Sequence, residues 1–320
     1  MKKKLSIVLI VSIFLIFIFN GCFEEKNEEK KKDNLLDNYS YVNAIGGKDY
    51  NSIQDAINNI RPDGTIYVDK GIYNENIIIN KTLRLIGEDK NNTIINGNGK
   101  ENVLNIFADY VYISGFTIQN NGNEFFGINI DSCCNSITNT IIINNRQGIN
   151  LNYSRDNLIF GNTIVNNYAG IYIKDSINNN IFSNTIFNNS MNGIIINSYS
   201  NNNIIYNNNI NNNGNGIHIL YYSNNNKIYN NNITYNIYGG IFILSLSSKN
   251  IIYHNNLINN YINAQDAQNN TWYNATLMEG NYWDDYYGAD ANGDGIGDMS
   301  YNITGGNNYD KYPLINKQFI

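Results

Sequence analysis

Charge is what this sequence lacks most visibly. Only 15% of its 320 residues are Asp, Glu, Lys or Arg, against roughly 25% in an ordinary soluble domain. The net charge is −6 and the pI about 5.0. No basic stripe exists, so nucleic acid is excluded as a partner. Cysteine is nearly as scarce. There are three, Cys22, Cys133 and Cys134, and the adjacent pair cannot readily bond to each other in strand geometry. That excludes a disulfide framework and leaves Cys133 and Cys134 as small residues at a corner, with copper or redox chemistry as the alternative. Two histidines, His218 and His254, leave little room for a His-based metal site. Leucine is too sparse for a leucine-rich repeat.

What fills the space is asparagine, about a fifth of the chain. Such a tract could be disordered, but here Ile, Tyr and Phe interrupt it on a regular beat. Gly-Ile pairs begin at Gly127, Gly148, Gly170, Gly193, Gly216 and Gly240, at spacings of 21 to 24 residues. Self-similarity at that period marks a solenoid. Each repeat holds short apolar runs of three to five residues with period-two alternation, which is the signature of strand. Three strands and three turns per repeat describe one coil of a parallel β-helix. In Ile171-Tyr172-Ile173, Ile194-Ile195-Ile196 and Ile217-His218-Ile219 the outer residues should point inward and the middle one outward. Asn suits the corners because it tolerates a left-handed backbone. Equivalent Asn side chains on coils about 4.8 Å apart can then hydrogen-bond along the stack.

In chain order, Lys2, Lys3 and Lys4 precede the apolar run 5–19, and Cys22 follows Gly21. This is an export signal. Residues 1–22 resemble a lipoprotein signal, which implies lipidation of Cys22; an uncleaved anchor and plain cleavage are the alternatives. Residues 23–40 are charged and poor in apolar residues, and read as a flexible tether. Ser52 with Asp55, followed by the stripe Ile53, Ala56, Ile57 and Ile60, predicts a short capped helix closing the first coil. Strands are predicted at 65–69, 76–79, 82–86, 93–95, 103–107 and 111–118, with regular coils from Phe116 to about Asn260. The β-helix is placed at 41–275, with nine or ten coils, and a C-terminal cap at 276–320.

SIQDAINNI from Ser52, GTIYVDKGIYNENIIINKTLRLIGE from Gly64 and DYVYISGFTIQNN from Asp109 resemble the opening of right-handed parallel β-helices of the pectin-lyase-like superfamily. Within it the likeness is to NosD-type and CASH-type (carbohydrate-binding and sugar-hydrolysis) proteins. NYWDDYYGADANGDGIGDMSYNITGG with the later DKYPL resembles the terminal segment of the NosD type. The resemblance spans about residues 41 to 316. It implies the handedness, and it raises maturation of a copper centre as a function, for which the chain offers only His218 and His254.

The strongest site signal is the loop Asp290, Asn292, Asp294, Ile296 and Asp298. Oxygen ligands alternate, Gly295 occupies the sixth place and the carbonyl of Ile296 the seventh, as in the first part of a calcium loop. Tyr301 stands where the bidentate Glu would be, so Asp298, or Asp284, Asp285 or Asp310, would complete the shell. The alternative is an Asp/Asn/Gly turn that needs no ion. For catalysis, aligned coils bring Asp131, Arg155, Asp156, Lys174 and Asp175 to one side, where a lyase would need calcium ligands with a basic residue and a hydrolase a pair of carboxylates. Such a patch is more often a solvated face. Outward Tyr172, Tyr221, Tyr222 and Phe242 suit stacking on sugar rings, although aromatics also simply favour strands. The sequence thus reads as an exported, membrane-anchored, monomeric all-β protein with a structural calcium. It should bind envelope polysaccharide or partner proteins without catalysis; polysaccharide lyase or hydrolase is the rival.

Overall fold

The computed structural model describes residues 38–120 and 124–319. The export signal with Cys22, and the tether up to residue 37, lie outside the described residues. Within them the chain winds through three parallel sheets, visiting each once per coil. The first face has ten strands, from Tyr39–Val42 to Ile251–Tyr253. The second has ten, from Gly71–Tyr73 to Tyr282–Trp283, and the third nine, from Ile77–Ile79 to Ala264–Asp266. These numbers match the nine or ten coils expected, and the right-handed parallel β-helix is the architecture.

The apolar alternation has the consequence it predicts. Ile137, Ile159, Ile181, Ile205, Ile228 and Ile252 lie in one register column on the first face. Every one of them is fully buried. The second and third faces send similar columns inward, and each buried Ile side chain contributes roughly 1.5–3 kcal/mol. The Gly of each Gly-Ile pair has a steric cause. A Cβ on Gly170 or Gly216 would lie 2.5 or 2.6 Å from the carbonyl oxygen of the equivalent Gly on the next coil. The close approach admits no side chain, and it fixes the repeat marker seen in the sequence.

Asparagine does two jobs, and adjacent residues divide them. Asn166, Asn188 and Asn212 take positive φ of 53 to 54°. The residue after each, Asn167, Asn189 and Asn213, is buried and joins a ladder. Three such ladders run along the corners. In the middle of one, Asn208 donates from its backbone N–H (3.0 Å) and from Nδ2 (2.9 Å) to Oδ1 of Asn231. Its own Oδ1 accepts the same two groups from Asn184, both at 3.0 Å. Nδ2 also reaches the carbonyls of Ile181 and Tyr206. Every ladder donates in one direction, toward the C-terminal end.

The expected helix, α1 (Ile53–Asn59), packs on the first strands of the first and third faces, with Ile53, Ala56 and Ile57 buried. Ser52 caps it through the Asp55 N–H, but the second half of the cap comes from a residue the sequence reading left out. Glu75 accepts the backbone N–H groups of Ile53 and Gln54, each at 2.9 Å. An anion at this position also suits the helix dipole.

Several boundaries differ from expectation. The strand Tyr39–Val42 begins inside the stretch read as tether, because Tyr41 stacks on Tyr67 and Val42 is buried in the core. The run 111–118 is two strands, Tyr112–Ser114 and Thr117–Gln119, turned at Gly115 with φ +88°. Parallel pairing continues past residue 275 to Tyr282–Trp283, since Trp283 falls in register with Leu257 and covers it. Beyond lies one small antiparallel pair, Tyr301–Asn302 with Tyr309–Asp310.

Candidate functional site

The third face is where the outward side chains behave unusually. Along its centre, one register column runs Asn105, Asn129, Asn150, Tyr172, Ile195, His218, Phe242 and Gln265. The alternation predicted for the Ile-x-Ile triplets holds, yet outward Asn129, Asn150 and Ile195 are buried. The corners on both sides carry exposed residues instead: Tyr168, Met191 and Tyr238 on one, Tyr153, Tyr199, Tyr221 and Tyr222 on the other. The face is therefore recessed between two rims.

The two halves of this recess differ in polar satisfaction. Toward the N-terminal coils the amides close on one another: Asn150 Nδ2 donates to Asn129 Oδ1 (2.6 Å), and Asn129 and Asn152 both donate to Asp131 (2.8 and 2.7 Å). Farther along they do not. Among the described residues, five buried side-chain polar atoms have no hydrogen-bond partner, and four belong to this face: Asn197 Oδ1, Asn215 Oδ1 and His218 Nε2 on the later coils, and Gln147 Oε1 at the start of the strand that carries Asn150. Burial holds the His218 imidazole below its ordinary pKa and keeps it neutral at pH 7. Buried polar atoms are seldom left unpaired in folded proteins, so their concentration on one face marks it.

The aromatic residues sort themselves by ring geometry. Phe160, Phe182, Tyr206, Tyr229 and Tyr253 form a continuous stack on the first face, with centroids 4.9–5.2 Å apart. Their faces cover one another, so they serve the fold. Phe242 is different. It lies over Gly239, where a Cβ would come within 2.1 Å of the ring, and it has only His218 edge-on at 6.1 Å.

With this geometry in place, comparison with known proteins becomes informative. The sequence model for the family described as periplasmic copper-binding protein (NosD) matches residues 56–237 and 135–288. The chain belongs to that family. Solved structures share the fold at low identity. Pectate lyase Pel9A has a TM-score of 0.61 at 16% identity, covering 76% of this chain and 74% of its own. DFA-IIIase from Arthrobacter chlorophenolicus A6, solved with DFA-III, has 0.63 at 13%, covering 77% and 76%. Alginate lyase from Paenibacillus sp. str. FPU-7 has 0.51 at 17%, covering 72% and 93%. No curated protein gave a match.

The copper of the family description finds no suitable donor set among the described residues of this NosD-family chain. His218 is on the third face, whereas His254 fills a positive-φ corner slot (φ +55°) and bonds Glu279 at 2.6 Å. Cys133 and Cys134 form no disulfide and sit near Arg155 on a third-to-first-face corner, where Cys134 has φ +58°. These donors do not converge.

The residues of the predicted charged patch lie on neighbouring coils. Asn152, Lys174 and Asn197 are in register, and Asn152 donates back to Asp131 on the coil before. Asp131 and Lys174 are two coils apart, about 10 Å at the strand spacing, with Asn152 between them. Lys174 leans over the Tyr153 ring at 5.9 Å, Asp175 turns the corner at φ +48°, and Arg155 pairs with its neighbour Asp156 at 3.9 Å. Among the described residues of this patch, Arg155–Asp156 is the one ion pair.

In the Asp-rich loop, Asp290 accepts the N–H groups of Gly293, Asp294 and Gly295, Asp294 accepts that of Ile296, and Asp298 that of Ala291. Asn292 Nδ2 bonds Asp294 at 2.9 Å. The acids expected to help from outside are occupied elsewhere. Asn263 donates to both Asp284 (2.8 Å) and Asp285 (2.9 Å), while Asp310 lies buried under Trp283, whose indole N–H it accepts at 2.9 Å. Burial pushes Asp310 up to about 6 against the N–H donors around it. A groove of about 620 Å³ on the second-to-third-face corner is lined by Glu124, Arg146 and Tyr168 among others. Among the described residues no helix is long and apolar enough to cross a membrane.

Proposed function

We propose that this NosD-family β-helix is an exported, membrane-attached protein that holds envelope polysaccharide along its third face and does not cleave it. The observation that carries the reading is the set of buried, unpartnered polar atoms on that face. An uncompensated buried polar atom costs roughly 1–3 kcal/mol, and a bound hydroxyl chain would supply the missing partners. The rims add exposed tyrosines suited to sugar rings. Cleavage is not proposed, because Asp131 is engaged by two amides and Lys174 stands two coils from it. The Asp-rich loop is read as a structural calcium site at Asp290, Asn292, Asp294, Ile296 and Asp298, and Cys22 as the lipid attachment point, with residues 276–320 capping the coils.

The test is retention of the full chain, in detergent with calcium, on an array of envelope and plant polysaccharides, followed by sizing of what is retained. Retention at unchanged polymer length is expected. Shortened polymer would make this an enzyme and bring Asp131, Lys174 and Asp175 forward. Failure of every polysaccharide to bind would overturn the reading.

A further inference from the structure

The open half of the third face also says which polysaccharides fit it. Two of its three unpartnered atoms, Asn197 Oδ1 and Asn215 Oδ1, are amide oxygens, which can only accept. A ligand must therefore bring donors. Hydroxyl groups do so; a carboxylate would set like partial charges against them. Formal charge points the same way. Between Asp175 and Lys249 the only Asp, Glu, Lys or Arg is Lys227, and it sits on the first face in Lys227–Tyr229. On the third face between Asn192 and Phe242 a polyanion would meet no cation, Lys174 standing one coil before, in register with Asn197.

The flanking corner supplies an independent observation. Tyr199, Tyr221 and Tyr222 take φ of 55, 49 and 59°, and are 61, 54 and 42% exposed. A left-handed backbone costs an ordinary L-residue about 1–2 kcal/mol, and Asn much less. Most such slots elsewhere hold Asn, Ser, Asp or Gly, although Tyr110, Tyr153, Tyr235, Leu246, Lys249 and His254 also take positive φ. Tyr199 and Tyr222 stack on each other with centroids 5.3 Å apart, whereas Tyr221 holds its ring in a costly conformation and 54% exposed, which points to something other than stability.

We infer that the third face between Asn192 and Phe242 binds an uncharged polysaccharide and selects against uronate polymers. Asn215 and His218 meet its hydroxyls, while Phe242 and the Tyr199–Tyr221–Tyr222 rim meet its ring faces. The inference rests on the polysaccharide-binding reading above and narrows it to a substrate class and a stretch of coils.

Affinity electrophoresis of the full chain tests it, in gels containing galactomannan or β-glucan against gels containing polygalacturonate or alginate. Retardation is expected in the neutral gels only. His218→Ala, and separately Tyr221→Asn, should each weaken it about tenfold or more, as loss of a central contact does. Tyr221→Asn relieves the corner backbone and leaves the Tyr199–Tyr222 stack in place, so its melting temperature should not fall, which separates lost binding from lost fold. Retardation by the uronate polymers would overturn the selectivity and leave polysaccharide binding standing. Neutral retardation indifferent to both variants would overturn the location. No retardation in any gel would overturn the inference and the reading beneath it together.

Discussion

The regular coils and the C-terminal segment solve one problem with opposite chemistry. Within the coils each ladder Asn is both donor and acceptor, so a column of identical amides satisfies itself. At the last coil the column still donates and has no further Asn to receive. There the chain turns to carboxylates. The ladder through Asn250 ends at Asn270, whose Nδ2 reaches Asp266 at 3.0 Å. The ladder through Asn255 ends at Asn281, whose N–H meets Asp310 at 2.7 Å. The ladder through Asn236 ends at Asn260 and passes through Asn263 to Asp284 and Asp285. Two of these acids also take an indole N–H, from Trp272 and Trp283. The lesson is that a directional amide stack needs an acceptor-only residue where it stops. Aligned dipoles give its donating end a partial positive charge, as at a helix terminus.

The comparison breaks most visibly at mid-stack. Asn208→Leu removes the acceptor for Asn184 and strands two carbonyls in the core, so a loss of about 3–5 kcal/mol is expected in denaturant unfolding. Loss below 1 kcal/mol would mean the ladder is ornamental. At the stack end the effect is smaller and depends on pH. Burial raises the carboxyl of Asp310 to about 6, above its unfolded value. Its contribution is thus fully present below pH about 4 and lost as pH rises through about 6, on the order of 2–3 kcal/mol. Asp310→Asn should flatten that part of the stability profile; an unchanged slope would move the titration to another group.

Weaker still is the loop that hangs beyond the stack. Asp290→Ala with Asp294→Ala should remove any rise in melting temperature with calcium, worth about 1–2 kcal/mol for an ion well above its dissociation constant. A melt indifferent to chelator in the parent chain would leave the loop as a turn. The smallest shift belongs to the rim: Tyr221→Asn should gain up to about 1 kcal/mol, because the left-handed corner suits Asn. A loss of stability there would show that the ring serves the fold.

Much of this was legible in the sequence because a repeat announces its own geometry. The inward Ile columns follow from period two, and the Gly-Ile beat from a contact that recurs once per coil. The candidate site was only partly legible. Alignment on Gly-Ile placed Asp131, Asn152, Lys174 and Asn197 in one column, and the last three are in register. It did not show that Asp131 is tied up by Asn129 and Asn152, or that His254 serves as a corner. Asn215 and Gln147 went unnoticed, since in so Asn-rich a chain a ladder amide and an unpaired amide look alike. Glu75 as helix cap was missed because its partner is more than twenty residues away.

The sequence by itself determined the coil, its period, its inward face and the kind of residue at each corner, because these depend on local alternation and near-neighbour stacking. Only the tertiary structure decided which polar atoms remain without partners. Hydrogen-bond satisfaction is settled between coils, and no single repeat contains the information. It also decided that Asp284, Asp285 and Asp310 belong to the ends of amide columns, since a carboxylate's role follows from the donors the fold points at it.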